Sequence, residues 1–138
     1  MKKIILLLIL TIVLFIAGCD LGNQSNTETA SSSNTGEGND VLYVIEITSE
    51  GFSPSPLTVT QGSTVTWINK DANEHWPASA MHPTHAIYPE SGGCIGSKFD
   101  ACKGLKEGES WSFTFNEKGT WNYHDHFDVS KFGKIIVE

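Results

Sequence analysis

The chain's strongest regularity is a two-residue alternation of apolar and polar positions. Residues 41–48 alternate and are rich in β-branched side chains, and residues 63–69 put Val65 and Trp67 on one face. Residues 109–115 put Trp111, Phe113 and Phe115 on one face, and residues 57–60, 121–126 and 132–137 read as further short strands. Side chains two apart on a strand share a face, so this period predicts half-buried strands. Gln61-Gly62 and Glu117-Lys118-Gly119 are turn signals, and Phe52-Ser53-Pro54-Ser55-Pro56 reads as a turn-rich crossing. No window holds a 3.6-residue period. Short strands with frequent turns predict one all-β sandwich over residues 41–138, with Val65, Trp67, Trp111, Phe113 and Phe115 largely buried.

The first 40 residues follow other rules. Met1-Lys2-Lys3 precedes an almost unbroken apolar run from Ile4 to Ala17, closed by Ile16-Ala17-Gly18-Cys19. A basic start, a short apolar core and a small-residue end are the marks of a secretory signal. The run is short for a membrane span, which needs about 20 residues. Residues 1–18 are therefore expected to be a signal peptide. Residues 19–40 are almost devoid of apolar side chains and cannot bury enough surface to fold. They are expected to form a flexible tether, about 25 Å in r.m.s. length for 20 residues.

Export changes how charge and cysteine are read. Removing Lys2 and Lys3 leaves seven lysines and no arginine against 16 acidic side chains, a net charge of −9 with neutral histidines. An acidic chain without a basic patch argues against a nucleic-acid partner and suits one that binds a cation. Cys94 and Cys102 form an even pair in an oxidising compartment, where a disulfide is the expectation. Closing so short a loop stabilises by roughly 2.5 kcal/mol in the chain-entropy treatment. Two thiolate metal ligands are the alternative.

The candidate chemistry lies in histidine. All five histidines fall in two segments, His75 to His85 and His124 to His126. His124 and His126 are two apart at a strand end, so both imidazoles are expected on one face, about 7 Å apart at the backbone. Between Asn69 and Glu109 the alternation breaks into a long irregular insertion that also carries both paired cysteines; such insertions in compact domains are usually functional. Within it, His85 is favoured over His82 as a ligand because Ile87 and Tyr88 should anchor that end. Asp125 is an acid placed to accept from an imidazole and orient it. Imidazole sites suit copper, zinc or nickel.

Residues 52–71, Phe-Ser-Pro-Ser-Pro-Leu-Thr-Val-Thr-Gln-Gly-Ser-Thr-Val-Thr-Trp-Ile-Asn-Lys-Asp, resemble the opening half of a small cupredoxin. So do residues 105–115 and Gly119-Thr120-Trp121-Asn122-Tyr123-His124. The resemblance covers about residues 41–75 and 104–138. It implies a Greek-key β-sandwich, a metal site at one end, copper rather than zinc, and His75 as the counterpart of the family's first copper-binding histidine. The blue-copper motif Tyr-His-Cys-x-x-His-x-x-Met-x-Gly is not matched: Asp125, Asp128 and Lys131 stand at its cysteine, second histidine and methionine. Without the thiolate the blue centre cannot form. Tyr123-His124-Asp125-His126 is also similar to a His-x-His strand of multicopper oxidases, and His75-Trp76 to the start of their His-Trp-His motif. Ile16-Ala17-Gly18-Cys19 resembles a bacterial lipobox, which implies lipidation of Cys19 and a domain anchored to the membrane in the cell envelope, outside the cytoplasm.

The sequence thus supports a non-blue copper-binding protein whose ligands are His75, His85, His124 and His126, acting as a carrier, buffer or tolerance factor. Two other functions remain open: a copper or zinc enzyme with an open metal position, and a metal-free binding module. Proton competition should weaken binding as pH falls through about 6.5.

Overall fold

The computed structural model describes residues 41–138; the expected signal peptide, the lipidation of Cys19 and the tether lie outside the described residues. Among the described residues the strands are β1 (Tyr43–Thr48), β2 (Gly51–Ser53), β3 (Leu57–Val59), β4 (Thr64–Asn69), β5 (Pro77–Ser79), β6 (Ser110–Thr114), β7 (Gly119–Asp125) and β8 (Phe132–Val137). They form two four-stranded sheets, ordered β2-β1-β4-β6 and β3-β8-β7-β5. β1 runs parallel to β4 and β3 parallel to β8, and the remaining pairs are antiparallel. The fold is the all-β sandwich that the alternation predicted.

The inner faces close over an aromatic core. Trp67 is fully buried, edge-on to Tyr123 and 5.4 Å between ring centres from Phe99. Val65 and Phe115 are also fully buried, as expected. Trp111 and Phe113 are only half-buried, which corrects the expectation for these two. Their strand β6 is a sheet edge, so its inner face has a neighbouring strand on one side only. The other side is covered by the insertion: Phe99 stacks on Trp111 at 5.9 Å and 10°, and Tyr88 meets Phe113 edge-on at 5.1 Å.

The insertion is therefore part of the sandwich. Tyr88 and Phe99 are buried in the core. The Tyr88 hydroxyl accepts from the backbone of Asn116 and Glu117 and donates to Glu90. Ile87, expected to anchor beside Tyr88, is 44% exposed; the hydrogen-bonded phenol makes the anchor alone. The Cys94–Cys102 disulfide is formed. Two strands escaped the alternation, β2 and β5, each three residues long. β5 begins at Pro77, which has no amide proton to donate, and it sits at the sheet edge where that is tolerated.

One close approach fixes the register of the site-bearing strand. A Cβ on Gly133 would fall within 2.2 to 2.6 Å of the ring of its cross-strand partner Tyr123. That ring is fully buried and cannot move aside. Gly133→Ala is expected to destabilise the domain by about 1–3 kcal/mol or more, read as a lowered urea midpoint with unchanged slope.

Candidate metal centre

The geometry of the site begins with the alternation along β7. Tyr123 enters the core, so His124 points to the opposite face of its sheet and Asp125 returns to the inner side. The far face would be open to solvent at this point, but β5 pairs beside β7, opposing Ala78 to His124, and the rest of the insertion folds over it. His124 is left only 6% exposed. His126 lies just past the strand end, held by its amide donating to the Trp76 carbonyl at 2.8 Å.

On this covered face four imidazoles converge. One ligand-capable nitrogen from each of His82, His85, His124 and His126 lies within 4.8 Å of all the others. Ring centres are 4.9 Å apart for His85 with His124 and with His126, and 5.0 Å for His82 with His126. His85 Nε2 is 2.9 Å from His126 Nδ1. Two nitrogens about 2.0–2.1 Å from one ion and at right angles to each other would be about 2.9 Å apart. His85 Nδ1 donates to the buried Asp100 carboxylate at 2.7 Å. Trp76 leans over His126, 4.4 Å between ring centres, and its indole N–H donates to Asp100 at 2.6 Å.

The donor set fits a copper-like ion. Both ring nitrogens of His124 are buried without a hydrogen-bond partner among the described residues. A buried polar group left unpaired costs about 1–3 kcal/mol, and an ion between the four rings would satisfy one of the two. Burial first, and then the neighbouring His85, His82 and His126, push the His124 pKa down to about 4. Burial and the same neighbours His85 and His82 also lower that of His126. Neutral imidazole is the ligand form, so at His124 the proton competes only at pH values well below the 6.5 expected from the sequence.

His85, His124 and His126 are thus brought together as the sequence reading placed them, but His75 is not among them. Its Nδ1 lies 2.6 Å from Asp125 Oδ2 and its Nε2 3.0 Å from Asp71 Oδ2, so both ring nitrogens already face carboxylates. His82 completes the group in its place. The reason is again the alternation: His75 and Asp125 lie on the inner side of β7 and the four-histidine group on the outer. Asp125 does orient an imidazole, that of His75, while also accepting from the amides of Trp76 and Phe127. Asp128 and Lys131, at the family's second histidine and methionine, pair with each other at 3.1 Å. Hydrogen bonds from Ser130 and Lys131 hold the Asp128 pKa at about 2. Three residues were not singled out from sequence: Asp100, Trp76 as a cover over the site, and His82 as more than a loop histidine. For His82 the signal existed in His82-Pro83-Thr84-His85. Asp100 carried none beyond its place between the paired cysteines.

Known proteins agree with this architecture. Amicyanin of Paracoccus denitrificans is 32% identical over 101 residues, covering 72% of this chain and 67% of that protein. The chain belongs to the cupredoxin family. Among solved structures, a Cu(I) form of an amicyanin variant is 28% identical, with a TM-score of 0.56 over 70% of this chain and 82% of that one. A reduced amicyanin variant is 29% identical, with a TM-score of 0.57 over 74% and 87%. A purple cupredoxin from Nitrosopumilus maritimus, 23% identical with a TM-score of 0.56 over 70% and 99%, shares the fold. No protein-family model matches the chain.

The depressed His124 pKa has a consequence for the metal-free domain. The unfolded chain takes up that proton near 6.5 and the folded chain only near 4. The unfolded state therefore binds more protons in between, and stability present above 6.5 is lost as pH falls from 6.5 towards 4. Urea unfolding of metal-free protein across this range should show that loss, and His124→Gln should flatten it.

Proposed function

We propose that this cupredoxin is an exported copper-binding protein with a non-blue mononuclear site of His82, His85, His124 and His126, serving as a copper carrier, buffer or tolerance factor. The observation that carries the reading is His124, an imidazole buried with both nitrogens unpaired among the described residues and ringed by three others. Membership of a family whose relatives include a Cu(I) amicyanin favours copper over zinc. The position of the family's thiolate is taken by Asp125, whose carboxylate is engaged with His75. The usual metal position is thereby filled by a hydrogen bond, and the ligands have moved across the strand to its other face.

Anchoring through a lipidated Cys19 in the bacterial cell envelope completes the reading and rests on the sequence of residues 1–40. A partner for metal transfer would approach the site from outside the sandwich, where His82 is exposed. A second reading, an enzyme that activates oxygen or water at an open metal position, draws on a groove of about 790 Å³ whose walls include His82 and His124. Oxygen consumption by copper-loaded protein with a sacrificial reductant distinguishes it from a carrier.

The binding reading has a direct test. Elemental analysis after loading should give one copper per chain, and the Cu(II) form should lack an intense blue band and show nitrogen ligation by electron paramagnetic resonance. Groups that merely orient ligands are worth about 10–100-fold in affinity. Alanine at His82, His85, His124 or His126 should therefore each weaken binding by at least ~10-fold, whereas His75→Ala should leave the stoichiometry at one. Retention of full affinity in His124→Ala would remove the site. For the anchor, Cys19→Ser should move the protein from the membrane to the soluble fraction of the producing bacterium.

A further inference from the structure

The most buried histidine of the group is tied to the disulfide-closed loop through both its backbone and its ring. His85 is fully buried and sits at φ 50, in the left-handed region that a non-glycine residue rarely adopts. Its carbonyl accepts from Ser97 N at 2.9 Å, and the neighbouring Gly96 lies so close that a Cβ there would fall 2.0 Å from the Thr84 carbonyl oxygen. Its ring is held by Asp100, whose side chain is fully buried. Asp100 Oδ1 accepts from Trp76 Nε1 at 2.6 Å and from Cys102 N at 2.8 Å, and Oδ2 accepts from His85 Nδ1 at 2.7 Å. Cys102 is one end of the bridge to Cys94. A continuous chain of contacts thus runs from the disulfide through one backbone amide and one carboxylate to a metal-facing imidazole.

We propose that Asp100, held by the Cys94–Cys102 bridge, is the positioning residue of the four-histidine centre, and that reduction of the bridge lowers its metal affinity. The inference rests on the reading of that centre as a copper site. An ionised carboxylate only accepts, so the ring nitrogen facing it must carry the proton. A neutral imidazole has one N–H. Placing it on Nδ1 leaves the Nε2 lone pair directed at His126 Nδ1, into the group. Without Asp100 the ring is free to carry its proton on Nε2, and that tautomer has no lone pair to offer there. Reduction by a dithiol breaks the Sγ–Sγ bond: two electrons and two protons pass to Cys94 and Cys102, and the dithiol becomes its own disulfide. The loop is then no longer closed, and Cys102, whose amide donates to Asp100, loses its tether to Cys94.

The experiment uses the full chain in five forms: wild type, Asp100→Asn, Cys94→Ser with Cys102→Ser, that bridge-less protein carrying Asp100→Asn as well, and His124→Ala. Asn is isosteric, but no orientation of its amide can accept at all three of the contacts made by Asp100. Nitrogen-15 spectra of the metal-free wild type should show His85 protonated at Nδ1; protonation at Nε2 overturns the proposal with no variant involved. Competition titration with Cu(II) should give 10–100-fold weaker binding in Asp100→Asn, with one nitrogen fewer in the paramagnetic resonance spectrum. The bridge-less protein should fall in the same range, and adding Asp100→Asn to it should weaken binding little further, since both act through one contact. Wild-type affinity in the bridge-less protein overturns the redox control, and wild-type affinity in Asp100→Asn overturns the positioning role. Absence of copper binding by the wild type, or undiminished binding by His124→Ala, instead overturns the copper-site reading itself.

Discussion

The register of β7 is the constraint on which the remaining features depend. Because Tyr123 is locked into the core against Gly133 and Trp67, His124 has to face the other way and Asp125 has to face in. A shift of one residue would exchange these faces, putting the imidazole into the aromatic core and the phenol under the insertion. One strand end thus serves two polar clusters, separated by nothing more than the pleat. On the inner side, Asp125 meets His75 and fills the place where the family resemblance locates the blue-copper ligands. On the outer side, His124 and His126 meet His82 and His85 of the insertion.

The second dependency is the insertion itself. In a bare sandwich the outer face of β7 would be wet, and two solvated imidazoles there would hold a metal weakly and in no fixed geometry. The insertion changes this with two kinds of contact. Tyr88 and Phe99 bury their rings in the shared core, so the segment is anchored by the same apolar burial that holds the sheets together. Asp100, Trp76 and the disulfide then fix His85 and cover His126. Burial lowers the His124 pKa, and this keeps the imidazole neutral, the form a metal requires. The contacts that fold the domain are therefore the ones that prepare the site.

Replacing a thiolate by a carboxylate at one position accounts for much of the difference from a blue-copper protein. A buried carboxylate needs donors, and Asp125 finds them in the His75 imidazole and the amides of Trp76 and Phe127. Its charge and hydrogen bonds draw His75 into a structural role, with Asp71 on the ring's other nitrogen. Lys131 and Asp128 neutralise each other nearby. Asp125, His75 and Asp71 thus form an internal polar network, on the opposite side of the strand from the four-histidine group.

The sequence by itself determined the strands, because period-two alternation puts every second side chain on one face, and short strands with frequent turns pointed to a sandwich; it also marked the two histidine segments, because their clustering is visible along the chain. It also named the disulfide, since Cys94 and Cys102, in a chain expected from its sequence to be exported, have one default partner each. It did not determine that Trp111 and Phe113 would stay half-buried, because which strand ends at a sheet edge is a property of topology. It could not separate His75 from the other histidines, because the family motif aligns it with a ligand and only the packed structure shows carboxylates at both its nitrogens. Asp100 was decided by tertiary structure alone, and so was the choice of His82 beside His85 rather than His75. His82 and Asp100 belong to an irregular segment without periodicity, and their place beside β7 is fixed by Tyr88 and Phe99 reaching into a core that forms from distant strands.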